Sequence, residues 1–326
     1  MNIASLRPRR AFFGADLGEQ PVTRRRRRVN IQIQTTSICN GRCTICPYPD
    51  SWHKAHPGVM GEALFNRVLD ELAPLRLAKV CPYLENEPLM DPLIFERIGA
   101  IKRRLTFDRL EVSTNALALD EDKARRLGSL LADVPHEIWV SFHGVDARTH
   151  DGIMGLGFER CLANVVGLLK LSDRLPLRVI IRGAGLPQSQ ELATGFAFTE
   201  EEYIRFWEGQ LALHGIRKRP GINFTKYHDR AGTIRRNGVR LPRPARPDLT
   251  GFRCPRVGEW LHILYTGELI ICCMDYHREE VFGDLSRDSL ESILSGPVYA
   301  NLRDRVEGRA PSSETFICKR CISPGG

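Results

Sequence analysis

No stretch of this chain runs to the roughly 18 consecutive apolar residues that a membrane-spanning helix needs. Its first residues, M-N-I-A-S-L-R-P-R-R-A-F-F-G, lack an apolar segment followed by a small-residue cleavage site. The first absence excludes a helical membrane span and the second a secretory leader, so the expected location is cytoplasmic. The signature of disorder is missing too: 42% hydrophobic residues in 326 can build a core of ordinary size, enough for one large domain and a small one. A basic body is also lacking, despite the net charge of +8. Residues 1–28 carry eight Arg against Asp16 and Glu19, and residues 235–256 carry seven Arg against Asp248, so the rest of the chain is slightly acidic. That distribution argues against nucleic acid as a partner, and the run Arg24 to Arg28 reads as a solvated arm.

Cysteine is plentiful, but its placement argues against a disulfide scaffold. Seven of the ten fall into metal-type spacings, and a chain of this length needs no disulfide staples. Cys39, Cys43 and Cys46 stand in C-N-G-R-C-T-I-C just after a strand-like run. Three thiolates on one tight loop can hold three corners of a 4Fe-4S cube and leave the fourth iron without a protein ligand. Zinc is the alternative, although it usually takes four ligands in CxxC pairs. Cys254, Cys272, Cys318 and Cys321 form a second set, C-x12-G-x4-C followed by a distant CxxC. Four thiolates close a cluster's shell and would satisfy zinc equally. Of the others, Cys161 falls on the apolar face of a helix, Cys81 falls within a strand, and Cys273 directly follows a ligand.

From Val29 onward β-rich runs alternate with segments of helical period. The predicted strands are Val29 to Thr36, Lys79 to Leu84, Arg109 to Thr114, Glu137 to Phe142, Leu177 to Arg182 and Gly221 to Lys226. Six βα repeats with right-handed crossovers imply a parallel sheet that curls but is short of the eight strands of a closed barrel. In such folds ligands sit at the carboxyl ends of the strands, which is where the first cysteine loop falls. Residues 235–256, rich in Arg and Pro, suit a linker, and W-L-H-I-L-Y-T-G-E-L-I-I-C-C reads as a hairpin turning at Thr266-Gly267. The organisation expected is an arm (1–28), a barrel (29–234), then a linker with a small iron-sulfur domain (235–326).

The CxxxCxxC loop resembles that of the radical S-adenosylmethionine (radical SAM) enzymes, and the second cysteine set, with G-D-L-S-R-D-S-L-E-S-I-L, is similar to their truncated SPASM or "twitch" domain. The resemblance covers almost the whole chain after residue 28. It implies an α/β fold, a partial (β/α)6 TIM-like barrel with a small C-terminal twitch/SPASM-like domain. The implied cofactors are SAM and two 4Fe-4S clusters, one binding SAM and one auxiliary; the chain stops too soon after Cys321 for a second auxiliary set. Glu87 in E-N-E-P matches the acid of the family's GGE motif, with Glu85 and Asn86 in place of the glycines. Ser113 and Asn115 in S-T-N match the stretch that faces the ribose. Ser141 and Arg182, at the ends of the fourth and fifth strands, are candidates for the SAM carboxylate. Ile45 stands where an aromatic is common, and Arg230 in H-D-R-A-G is a candidate to fix a turn or to face substrate, the turn being the favoured role.

The function implied is hydrogen abstraction by a 5′-deoxyadenosyl radical from a small polar metabolite: a sugar, aminocyclitol or nucleoside-like molecule. A ketone results if the auxiliary cluster takes the remaining electron, as in an aminocyclitol dehydrogenase. An epimer results if a thiol such as Cys273 returns a hydrogen. Glu85, His143 and Asp275 are candidate bases or substrate anchors. A flavodoxin or ferredoxin would supply electrons, and the Arg arm would suit such an anionic donor. The alternatives are a maturase of ribosomally made peptides, for which 28 residues ahead of the barrel are few, and a non-catalytic iron-sulfur or zinc protein binding nucleic acid.

Overall fold

The computed structural model describes residues 28–185, 198–226, 230–234 and 246–321. The arm before residue 28, the linker over 235–245 and Tyr227, His228 and Asp229 of the H-D-R-A-G stretch lie outside the described residues. One ten-stranded sheet organises the rest: β1 (Val29–Ile33), β2 (Arg76–Cys81), β3 (Thr106–Phe107), β4 (Leu110–Thr114), β5 (His136–Ser141), β6 (Val179–Gly185), β7 (Gly221–Lys226), β8 (Trp260–Ile263), β9 (Glu268–Ile270) and β10 (Val281–Asp284). Their order is β10-β9-β8-β1-β2-β4-β5-β6-β7, with β3 beside β2. From β1 to β7 every pairing is parallel.

Strand alternation sends two kinds of side chain to two faces. Ile31, Ile33, Val80, Leu110, Val112, Ile138, Val140 and Ile181 are buried in the apolar core. The helices crossing between strands meet that core along one stripe each: Phe65, Val68, Leu69 and Leu72 on Glu62–Leu72, Ile94, Ile98 and Ile101 on Ile94–Arg104, and Ala124, Leu127 and Leu131 on Glu121–Leu131. Their starts are fixed by side chains. Asp120 accepts from Lys123 N at 2.9 Å, and Thr199 with Glu202 makes a reciprocal capping box at the helix Glu200–Leu213. Tyr203 of that helix donates to Phe142 O at 2.8 Å, bracing the end of β5.

One pairing departs from the expected separation of the C-terminal domain. The hairpin β8–β9 forms where expected, but β8 lies parallel to β1 in register Gln32 to His262, and Gln34 N continues the ladder by donating to Ile263 O at 2.8 Å. The cause is the open edge of β1, whose backbone groups would otherwise lack partners. The C-terminal region therefore extends the barrel's own sheet. Among the described residues no single helix is long and apolar enough to cross a membrane.

Candidate active site

The first cysteine loop leaves β1 and folds back under its own hydrogen bonds. Cys39 N donates to Tyr48 Oη at 2.8 Å, Gly41 N donates to Cys39 Sγ at 3.4 Å, and Cys46 N donates to Cys43 O at 3.2 Å. Across the sheet ends, Arg42 N and Thr44 N donate to Met154 O and Ile153 O. Gly41 lies beside both thiols: a Cβ there would stand 3.4 Å from Cys43 Sγ and 3.6 Å from Cys39 Sγ, in ordinary van der Waals contact. Burial pushes the Cys39 thiol up to about 12, with Glu87 adding to the rise and Cys46 contributing further.

Around that loop stand several of the residues expected from sequence to face SAM. Glu87, almost fully buried, accepts from Thr114 Oγ1 and Asn115 N, both at 2.7 Å, and from Leu89 N at 3.2 Å. Burial raises its carboxyl to about 7 against the lowering effect of those donors. Asn115 reaches from the end of β4 to the cysteine loop, donating through Nδ2 to Asn40 Oδ1 at 2.7 Å. Glu87 thus locks the ends of β2 and β4 together beside Cys39, a task that its sequence motif alone did not disclose. Ser141, Arg182 and Asn223 stand at one level on β5, β6 and β7. Ser113 lies on β4 opposite Trp139. Arg182 lies 4.1 Å from the centre of the Trp139 ring, and its buried Nε has no hydrogen-bond partner.

The second cysteine set is also brought together. Cys318 lies within electrostatic range of Cys254, Cys321 and Cys272, and burial pushes its thiol well above the ordinary value. Cys321 N donates to Cys318 O at 3.3 Å and Met274 N donates to Cys272 Sγ at 3.4 Å. No disulfide links any cysteine among the described residues. The three thiols of the first loop and the four of the second set, of which Cys318 is buried and the others half-buried, are the residues that would hold two iron-sulfur clusters, the first with an open iron. When bound, those clusters and SAM would supply a carbon-centred radical and an acceptor for one electron.

The candidate bases are treated differently by the fold. Asp275, a candidate base or anchor, accepts from Glu279 N at 2.7 Å and Glu280 N at 2.9 Å and so also holds a turn, and burial raises its carboxyl to about 7. Glu85 pairs with His53, a residue the sequence reading passed over, and His53 Nδ1 lies 3.3 Å from Gln34 Nε2. Oε1 of Glu85 has no hydrogen-bond partner. His143 is buried, with Nδ1 unpartnered; burial, then Arg182, His150 and Arg230, lowers it to about 3, so it is a neutral imidazole. Cys273 lies within electrostatic range of Glu85, Arg256 and Arg230. Arg230, for which the sequence favours a turn over a place facing substrate, neighbours His143, Arg182 and Cys273.

The face of the sheet opposite the apolar core carries several polar side chains beside Cys81, Trp139 and Ile180. Gln32 is level with His262 on β8 and Cys81 on β2, and Glu111 on β4 is level with Glu137 on β5. Glu111 accepts from Lys79 at 2.5 Å and from Tyr83, while Glu137 accepts from Arg109 at 3.0 Å and from Trp139 Nε1 at 3.1 Å. Both ring nitrogens of His262 and Oε1 of Gln32 are buried without partners. Buried polar atoms left open in this way are costly unless water or a ligand meets them.

A parallel partial barrel with a three-cysteine loop at the strand ends and a second thiol cluster beyond it defines a radical SAM enzyme carrying an auxiliary iron-sulfur domain. The comparisons agree: residues 33–181 match the radical SAM superfamily and residues 254–322 match SPASM, an iron-sulfur cluster-binding domain. The chain belongs to the radical SAM enzymes with a SPASM domain, and its cofactors are SAM, a 4Fe-4S cluster and auxiliary iron-sulfur. No curated protein matches it in sequence. Among solved structures it is similar to BtrN in complex with AdoMet and 2-DOIA, at 15% identity and TM-score 0.55, over 91% of this chain and 93% of that one. It is also similar to Streptococcus suis SuiB bound to the precursor peptide SuiA, at 13% identity and TM-score 0.59, over 85% and 67%. A third likeness is to anSMEcpe with bound AdoMet, at 14% identity and TM-score 0.52, over 84% and 82%.

Proposed function

We propose that this enzyme removes a hydrogen atom from a small polar metabolite, a sugar, aminocyclitol or nucleoside-like molecule, to give a ketone or an epimer in a natural-product pathway. The observation that carries this reading is the inner face of the sheet and its strand ends, where His262, Gln32 and His143 keep buried atoms without partners. Such atoms suit a ligand rich in hydroxyl or amino groups, and they suit an apolar peptide side chain poorly.

Cys39, Cys43 and Cys46 would hold the cluster that binds SAM, with Glu87, Ser113, Asn115, Ser141 and Arg182 toward SAM. Cys254, Cys272, Cys318 and Cys321 would hold the auxiliary cluster. The neutral imidazole of His143 and the open oxygen of Glu85 are the groups able to take a hydroxyl proton. His53 fixes the orientation of Glu85 by pairing with its other oxygen. Cys273 is the thiol able to return a hydrogen, which would turn oxidation into epimerisation. A flavodoxin or ferredoxin is the proposed electron donor, and Asp275 supports the loop.

Likeness to both BtrN and SuiB leaves a peptide substrate as the second reading. The test is anaerobic incubation of the reconstituted enzyme with SAM, reductant and separate pools of aminocyclitols, sugars, nucleosides and peptides in deuterated water. The proposal expects 5′-deoxyadenosine above background with a polyol pool. The product should be two mass units lighter for oxidation, or carry one deuterium for epimerisation. A response to peptides alone would contradict it.

A further inference from the structure

We infer that Tyr276, from the C-terminal region, donates a hydrogen bond to the Cys46 thiolate and thereby raises the reduction potential of the cluster held by the N-terminal loop. Tyr276 Oη lies 3.6 Å from Cys46 Sγ, within the range of a hydrogen bond to sulfur, and the residue is buried. Its backbone is held to the same region, because Trp52 N donates to Tyr276 O at 3.2 Å. The segment before it is equally constrained: Asp275 N donates to Cys272 O at 3.0 Å, and the Asp275 carboxylate anchors Glu279 and Glu280. The phenol is therefore placed by structure on both sides of the contact and is not a chance approach of a flexible ring.

Sulfur Sγ of Cys39 receives a donor from its own loop, the Gly41 amide. The partner of Cys46 is instead a residue four positions after Cys272, a ligand of the other thiol set: the protonated thiol donates to Tyr276 Oη, and once Cys46 is a thiolate the phenol is the group that can donate. Reduction places an extra negative charge on a cluster and its thiolates, so a donor to sulfur stabilises the reduced form more than the oxidised one. Burial strengthens that preference by excluding water. Loss of the hydroxyl should therefore make the N-terminal cluster harder to reduce without removing a ligand. Tyr276 acts here as a positioning residue, and the C-terminal region tunes the first cluster as well as holding its own.

The experiment is an EPR-monitored redox titration of the full-length, reconstituted enzyme. The N-terminal cluster is recognised as the one whose signal changes when SAM is added. Tyr276→Phe is expected to keep wild-type iron and sulfide content while its midpoint moves to more negative potential. Replacing Tyr276 with 3-fluorotyrosine, a stronger donor of nearly equal size, is expected to move the midpoint in the opposite direction. Midpoints equal to wild type in both variants, or shifted in the same direction in both, would overturn the inference. If the phenylalanine variant fails to retain iron, the sign of the fluorotyrosine shift decides alone.

Discussion

Glu85 and His53 face each other with neither side chain exposed to solvent, one from the loop after β2 and the other from the one-turn helix Trp52–Ala55. Removing one partner of a buried polar pair leaves the other unsatisfied, at a cost of about 1–3 kcal/mol, whereas replacing both with apolar groups of similar shape is often near neutral. His53→Ala is therefore expected to lower unfolding free energy by that amount, and His53→Leu/Glu85→Leu to recover most of the loss. Denaturant titration of the three proteins checks this; equal stability of His53→Ala and wild type would refute it.

The two thiol sets make separable demands. Cys318→Ala should reduce iron content by about half, as expected for loss of one of two cubes. It should still allow cleavage of SAM, because Cys39, Cys43 and Cys46 are untouched. Substrate oxidation should fall by 100-fold or more, an order-of-magnitude expectation when the acceptor of the second electron is lost. Iron analysis beside assays of 5′-deoxyadenosine and product distinguishes the outcomes.

Acid stability should depend on His262. Burial, aided by Arg256, lowers this imidazole from its ordinary 6.5 to about 3. The folded protein thus refuses a proton that the unfolded chain accepts below about pH 6.5. Stability from this group is complete above that pH and declines as pH falls toward 3, approaching a slope of about 1.4 kcal/mol per pH unit. His262→Phe, which keeps a ring beside Trp260, should make the decline between pH 6 and 5 shallower by about that much. Urea midpoints across this interval supply the measurement, and an unchanged slope would contradict the assignment.

Local features were the legible ones. Gly221 to Lys226 is a strand to the residue, and the run Val29 to Thr36 was too long by three because the chain turns away after Ile33 to build the cysteine loop. The thiol ligands could be read because spacing alone constrains them. Pairing of β8 with β1 could not, since the open edge of β1 selects a partner far along the chain. His53 and Tyr276 escaped for the same reason: each acts through contacts with Glu85 or Cys46 that only the folded sheet creates. Glu87 was legible as a site residue, but its bonds to Thr114 and Asn115 were not.

The measurement that bears most directly on the account is 5′-deoxyadenosine formation by anaerobically reconstituted enzyme given SAM and dithionite. Release of 5′-deoxyadenosine by the wild type, with none from Cys39→Ala, Cys43→Ala or Cys46→Ala, is the result predicted. Turnover undiminished in any of those three variants, or a reconstituted wild type that holds iron and sulfide yet leaves SAM intact, would contradict it.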